Sequence, residues 1–356
     1  MNLVVVGNPG SRRVAMYASA VRAMGLPPVR VLAWRDVLTG TCAVPTDALV
    51  RIDSPGEDPH VDSLLRGPCL PHQVEGSGRW YQAFVAGLRR IADVVGGTPG
   101  ARLLNDVDDI AVMFDKRLCH KRLVAVGCPV PEVLTGVDGY SSLRQRMSEV
   151  GWNRVFVKPA HGSSASGVLA LTARDDRVEV VTSAALGPDG LSNSLRVNKY
   201  RGAEARAVVD LVCRDPVHVE RWFPKASLEA RTVDLRVVVV AGRATHAVVR
   251  ASPHPMTNLH LGGSRIDVAK LRVVIGEARW REWMATCERA AGAFPGSLMV
   301  GVDLLPGVRW DRHVVGEVNA FGDLLPHLPG LPDGPAPGVD TYTAQVMAST
   351  GMPCTT

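Results

Sequence analysis

Two carboxylates and an amide stand in apolar strand sequence where side chains of their kind need a reason to be. In VVGEVNAFG, Glu317 and Asn319 flank Val318. In an extended chain both polar side chains point to one face and Val318 to the other. Asp303 has a similar setting in MVGVDLLPG. If the two segments pair as a hairpin, Asp303 and Glu317 lie across from each other. Buried acids and amides are costly without partners, and a hard divalent cation is a natural partner for three oxygen donors. The alternative is an edge facing water, its acids paired with arginines.

The cationic side chains are placed just as pointedly. Only six of the 40 basic residues are lysines, so each lysine is informative. Lys158 ends the strand RVFV directly before Gly162, Ser163, Ser164, Ala165, Ser166 and Gly167. A lysine there reaches a phosphate while the N–H groups of the small residues cover the rest, although a solvated loop fits the same pattern. It is not a P-loop, because the lysine precedes the glycines. Lys116 sits on a helix after MFD, with Lys121 about a turn later; helical lysines are mostly just solvated. Arg236 alternates with Leu235 and Val237 in DLRVVVV and needs an anion if it points inward, and Arg250 ends the next strand. Such a pair holds phosphate or carboxylate oxygens, or forms structural ion pairs with Asp234 or Glu229. In HVERWFPKAS, the exit holding Glu220, Trp222 and Phe223 offers backbone groups to an adenine edge, or is simply buried strand. NLHLGGS adds Asn258 and His260. The opening GNPGSRR is either a tight strand–helix turn or, with Arg12 and Arg13, a grip on a substrate carboxylate or phosphate.

These side chains need elements to hold them. Leu3–Val6, a turn at Asn8–Gly10, a helix through Val14, Tyr17, Ala18 and Val21, and Val29–Leu38 read as a βαβ unit. Residues 51–80 show no periodic element. Trp80–Val95 and Asp109–Gly127 each read as one helix, as does Ser142–Val150. Val178–Val181, Ser194–Lys199, Val208–Cys213, His218–Trp222, Leu235–Val240 and Ala244–Arg250 read as strands. Arg279–Phe294 is a helix. A hairpin turning near Gly307–Arg312 follows, then a Pro/Gly linker over Leu328–Gly338, then a closing helix capped by Asp340.

At 356 residues the chain is long enough for two or three domains, and 46% apolar against 21% charged residues is ordinary for a globular protein. No apolar run approaches the ~20 residues of a membrane span, and the N-terminus lacks the basic region of a signal peptide. A cytoplasmic protein without a membrane partner is expected. The +5 charge is spread along the chain. It suits anionic small molecules and gives no indication of a nucleic-acid partner. Seven cysteines without a C-x-x-C pair argue for reduced thiols, not zinc or disulfides.

In their order along the chain, these pieces resemble the ATP-grasp superfamily over about residues 105–325. The D-x-R, N-L-H-x-G-G, G-V-D and E-x-N strings are most similar to those of the ribosomal-protein glutamate ligases and glutathione synthetases. The resemblance implies an α/β (α+β) fold. A Rossmann-like βαβ domain (1–104) would precede a first ATP-grasp subdomain with a phosphate-covering loop (105–222). A second subdomain with the magnesium site and C-terminal helix (223–356) would follow. It implies ATP contacts at Lys116 and Lys158, a flap over Gly162–Gly167 that includes Ser163 and Ser164, and an adenine hinge at Glu220, Trp222 and Phe223. It implies catalytic roles for Arg236 and Arg250, and Mg²⁺ ligands (Mn²⁺ being a substitute) at Asp303, Glu317 and Asn319. Asn258, His260 and Phe321 would contact substrate. The implied reaction joins a carboxylate donor to an amine acceptor through an acyl-phosphate, releasing ADP and phosphate. Competing readings are a small-molecule kinase and a non-catalytic ATP-binding regulator. Two departures leave the acceptor open among amino acid, peptide and protein side chain. Ala320, Phe321, Gly322 and Asp323 replace the small residue, Pro and Gly that often follow E-x-N. His254, Pro255 and Met256 stand where an arginine is expected. A homodimer is compatible with such relatives.

Overall fold

The computed structural model describes residues 2–67, 72–162, 166–257, 262–322 and 325–352. Three sheets organise the chain. The first is parallel. β1 (Asn2–Gly7) lies between β2 (Arg30–Ala33) and β3 (Ala48–Ile52), and β4 (Arg102–Leu103) flanks β3. The unbroken LVVV of β1 fits a strand covered on both faces. Leu3, Val5 and Leu49 cluster with Val14, Tyr17 and Val21 of α1 (Arg12–Ala23) and with Tyr342 and Val346 of α11 (Thr341–Thr350). Val4, Val6, Val50 and Ile52 join the core under α2 (Trp34–Thr39), α3 (Pro59–Arg66) and α4 (Ser77–Gly96). Asp340 caps α11 as expected, through Tyr342 N at 2.9 Å and Thr343 N at 3.2 Å. This C-terminal helix thus returns to the N-terminal sheet.

The second sheet is antiparallel. Its order is β5 (Val133–Leu134), β10 (Val217–Arg221), β6 (Arg154–Pro159), β7 (Leu169–Arg174), β8 (Arg177–Gly187), β9 (Gly190–Arg201). Leu143 and Met147 of α7 (Tyr140–Glu149) and Val208, Val209 and Val212 of α8 (Gly202–Val212) pack against Val155, Val157, Leu169, Leu171 and Val180. The third sheet is also antiparallel, in the order β14 (Ser264–Ile266), β13 (Arg243–Ser252), β12 (Arg231–Val240), β15 (Met299–Pro306), β16 (His313–Asn319). The short β11 (Ser227–Leu228) pairs with β12. α9 (Val268–Ile275) and α10 (Glu277–Gly292) lay Leu271, Trp280, Trp283 and Ala290 on one face of it.

Strand periodicity decides what faces away from those helices. On β12, Val233, Leu235, Val237 and Val239 enter the helix-side core. Asp234 and Arg236 therefore lie on the opposite face. On β15, Val300, Val302 and Leu304 take the helix side and Asp303 the other. The partner strand needs a correction to stay in phase. Asp303 pairs with Glu317, but Leu304 pairs with Val315, so Gly316 is an extra residue in β16. This β-bulge lets Val315 and Val318 both reach the helix-side core while Glu317 and Asn319 join Asp303.

Three sequence expectations are corrected, and one element is added. Residues 51–80 hold α3, started by Asp58 as N-cap with Pro59 in the first turn, a sound helix signal inside an irregular-looking stretch. Asp109–Gly127 is two helices, α5 (Val107–Met113) and α6 (Lys116–Ala125). Asp115 interrupts it by capping α6 through Arg117 N at 2.9 Å. Val208–Cys213 is the end of helix α8, not a strand. Ala205, Val208, Val209 and Val212 recur at helical spacing, and packing overrides valine's strand preference. α9 had no counterpart in the sequence reading. Cys42, Cys119, Cys128, Cys213 and Cys287 are free thiols, and Cys69 and Cys354 lie outside the described residues. Among the described residues no helix is long and apolar enough to cross a membrane.

One contact ties the first layer to the second sheet. α4 begins at Gly76 with no side-chain cap of its own. Asp215, after α8, supplies it, accepting from Gly76 N at 2.6 Å, Ser77 N at 3.1 Å and Gly78 N at 3.0 Å. Asp215→Ala is expected to cost about 1–3 kcal/mol, since it strands three helix-end donors. Denaturant titration of the purified variant checks this. An unchanged midpoint would show that water caps α4 equally well.

Candidate active site

A cavity of about 650 Å³ opens between the three sheets. Lys116, Lys158, Gly162, Glu220, Phe223, Arg236, Arg250, Asp303, Glu317, Asn319 and Phe321 all line it. Residues separated by up to 205 positions thus share one space. Trp222 does not line it. That ring turns away to pack on Phe156, with centroids 4.7 Å apart, and under the Arg154 guanidinium. Gly167 is absent from the wall too, but its φ of +67° and its closeness to Val74 and Pro159 suit glycine alone. Ser163, Ser164, Asn258 and His260 lie outside the described residues.

Lys116 opens α6, placed by the Asp115 cap. Its N–H donates to Ala160 O at 3.0 Å, and its Nζ donates to Gly162 O at 2.8 Å and Glu317 Oε1 at 2.9 Å. His161 adds a further tie between loop and helix. Its Nε2 lies 3.0 Å from Asp115 Oδ2, and its ring stacks on Tyr81 at 4.1 Å. The small-residue loop is therefore fixed at its base to the helix that carries Lys116.

Lys158 and Glu220 meet across β6 and β10, Nζ to Oε2, at 2.6 Å, and His218 Nε2 is 3.0 Å from Oε1. Burial raises the Glu220 pKa, but Lys158 and His218 outweigh it and hold the carboxyl at about 2. Burial pulls the Lys158 ammonium down, yet Glu220, with Glu317 and Asp303 behind it, leaves its pKa raised. Glu220 is thus a counter-ion, a function the adenine-hinge reading did not include.

Asp303 is gripped by two arginines. Arg236 Nε reaches Oδ1 at 2.5 Å and Nη2 reaches Oδ2 at 3.1 Å, while Arg250 Nη2 lies 3.0 Å from Oδ1. Burial raises the Asp303 pKa, and the two guanidinium groups bring it down to about 2. Arg250 also binds Asp234, Nε to Oδ1 at 2.7 Å. Asn319 donates from Nδ2 to Gly301 O at 3.3 Å, so its oxygen is the amide atom left for a cation. Among the described residues no group of three or more His, Cys, Asp or Glu side chains is placed for a metal. The donor set is two carboxylates and an amide on adjacent strands, which suits a hard cation that takes its other oxygens from phosphate or water.

Lys225 was not singled out in the sequence. It lines the cavity 3.5 Å from Asp234 Oδ2, and its Nζ donates to Thr257 Oγ1 at 3.0 Å. Burial lowers its pKa, Asp234 opposes, Arg250 adds to the lowering, and the net shift is downward. The signal that would have found it is the scarcity of lysine together with its place just after the β10 exit.

Charge pairing makes this site a pH-dependent source of stability. The folded Glu220 pKa of about 2 lies below the ~4.3 of an unfolded glutamate. The unfolded chain therefore binds more protons near pH 4, and the pair's contribution is present above that value and lost as pH falls toward 2. Glu220→Gln is expected to destabilise at pH 7 by about 3–5 kcal/mol, because it leaves Lys158 buried and unpaired. It should also lose stability less steeply on acidification. Denaturant melts between pH 7 and pH 3 measure both, and parallel acid limbs would refute the pairing.

No family model matches the chain, and no curated protein sequence does. Solved structures do match. The D-cycloserine synthetase DcsG is similar at a TM-score of 0.60 and 16% identity, covering 99% of this chain and 100% of its own. The ATP-grasp ligase PsnB, complexed with a phosphomimetic variant of its minimal precursor, Mg and ADP, is similar at 0.53 and 17%, covering 99% and 98%. The macrocyclase MdnC bound to precursor peptide MdnA from Microcystis aeruginosa MRC is similar at 0.54 and 14%, covering 99% of each chain. At such identities the likeness speaks for the fold alone, and it is the fold of these ligases that the chain adopts.

Proposed function

We propose that this protein is an ATP-dependent carboxylate–amine ligase that forms an amide or peptide bond through an acyl-phosphate, with release of ADP and phosphate. The observation that carries the reading is the convergence of Lys116, Lys158, Arg236, Arg250, Asp303, Glu317 and Asn319 on one cavity in this fold. That the similar ligase PsnB was solved with Mg and ADP supports nucleotide and magnesium as ligands on this reading. On this reading residues 1–104, 105–222 and 223–356 act as the pre-ATP-grasp unit and the two ATP-grasp subdomains.

The ion pairs bear on how the chain's own residues work under this reading. Lys116 and Lys158 exchange Glu317 and Glu220 for nucleotide phosphates, keeping a compact positive charge against an anion throughout. Magnesium, when bound by Asp303, Glu317 and Asn319, supplies charge neutralisation at the phosphates. Arg250 and Arg236 hold their guanidinium groups rigid through Asp303, so no reorganisation is needed when charge builds on the transferring group. Lys225 stands beside Arg250 and adds a further cation to the same wall. Cys119, which also lies near this site, has its thiol pushed up to about 12 by burial, so thiolate chemistry is not on offer. Catalysis is positioning plus electrostatics, and no covalent protein nucleophile is required.

The test is incubation with ATP, magnesium, pooled carboxylates and excess hydroxylamine, reading nucleotides and hydroxamates. ADP with hydroxamate is expected. ADP with a stable phosphorylated product would establish a kinase instead, and AMP would overturn the acyl-phosphate. Glu317→Gln is expected to lower turnover by about 100-fold or more while the protein stays folded. Undiminished turnover would remove Glu317 from the metal site.

A further inference from the structure

We infer that the crevice between the loops leaving β1 and β3 is a second anion subsite, which takes the non-reacting carboxylate of an amino-acid substrate on Arg12 and Arg13. The inference rests on the ligase reading and deepens it by naming a substrate class.

Topology places the crevice. The first sheet runs β2-β1-β3-β4, so the chain leaves β1 to one side and crosses back to β3 on the other. The loops after those two strands diverge at their carboxyl ends, which is where open parallel sheets bind ligands. Both loops open on the cavity already described, which Ser11, Arg12 and Arg13 line from one side and Ser54, Gly56 and Glu57 from the other.

The loops are built rigidly. Asn8, buried, donates from Nδ2 to Pro55 O and Gly56 O, both at 2.9 Å, and so ties one loop to the other. Ser54 N donates to Asp53 Oδ1 at 2.8 Å, and Gly56 N to Ser54 Oγ at 3.1 Å. Glu57 holds a φ of +71°, a costly backbone for a residue other than glycine.

Charge then selects the ligand. Asp53 is answered by the buried Arg51 at 2.6 Å, and Arg13 stands further off at 3.9 Å. Arg13 Nη1 donates to Phe321 O at 3.0 Å, which binds the crevice to the end of the strand carrying Glu317 and Asn319. Among the described residues Arg12 makes no ion pair, although it faces the cavity. Arg12 and Arg13 make the α1 side of the crevice positive and suited to a carboxylate, while Asp53 on the other side is already answered by Arg51. Glu57 opposite offers the complementary charge to an ammonium, and an amino acid carries both.

The experiment is equilibrium binding of free amino acids and their α-methyl esters, with magnesium and a non-hydrolysable ATP analogue present, to the wild type and Arg12→Gln. A free acid should bind, its ester about ten-fold or more weaker, and Arg12→Gln should weaken the acid by a similar factor while sparing the ester and the analogue. Turnover with hydroxylamine then tells the source. A hydroxamate of the bound amino acid makes it the donor, and hydroxylamine taking its place makes it the acceptor. Acid and ester binding alike, no amino acid binding to wild type, or equal weakening of all ligands by the variant would overturn the subsite while leaving the ligase reading intact. Failure of the analogue to bind wild type would overturn the ligase reading itself, and the subsite with it.

Discussion

Everything about the cavity follows from one constraint: charges taken out of water must answer one another. Lys116 meets Glu317, Lys158 meets Glu220, and Arg236 and Arg250 share Asp303, each at hydrogen-bond distance. Removing one member of the Lys158–Glu220 pair leaves a buried charge without its partner, at a cost of about 3–5 kcal/mol. Replacing both by apolar residues would often cost nothing. Stability alone therefore does not account for the network. On the proposed ligase reading, a site for polyanionic phosphate and a cation accounts for it.

The alternation of strands is what brings the charges to one face. β12 and β15 turn Val233, Leu235, Val237, Val239, Val300, Val302 and Leu304 toward the α9–α10 layer and Asp234, Arg236 and Asp303 toward the cavity. A strict hairpin would not keep β16 in step with them. The bulge at Gly316 repairs the phase. Its Cβ position is already crowded by Leu305, so a larger residue would have to displace that side chain.

Much of this was legible in the sequence, because the strongest signals there are local. Glu317 and Asn319 flanking a valine, arginine inside a valine run, and lysine before small residues each speak through spacing of one or two residues. Asp303 opposite Glu317 was legible too, since a hairpin needs only a short turn. Less legible was anything set by distant register. Glu220 reads as a strand-exit acid, and only the β6–β10 pairing turns it toward Lys158. Lys225 and Asp234 come together because β11 folds back along β12. The break between α5 and α6 hinges on one capping aspartate inside an otherwise helical pattern. Helix α8 reads as strand because its valines carry strand propensity, although Ala205, Val208, Val209 and Val212 recur at helical spacing and pack on the second sheet.

The turn after β16 shows how the layers depend on one another. Arg13, at the start of α1 beside the first sheet, donates to Phe321 O, and Arg236, from the third sheet, donates to Gly322 O at 3.2 Å. Adjacent carbonyls are thus held from two sides of the molecule. Gly301 makes room for this, since a Cβ there would stand 2.8 Å from Gly322 Cα and 3.3 Å from Arg236 Cδ. Asn319 lies two residues before that turn and opposite Gly301 in register. The turn that follows Asn319 is therefore held jointly by Arg236 and by Arg13 of the N-terminal crevice. A ligand that drew Arg13 away from Phe321 would loosen one side of that hold. The N-terminal crevice and the end of β16 thus share one turn, whose two carbonyls are held from opposite sides.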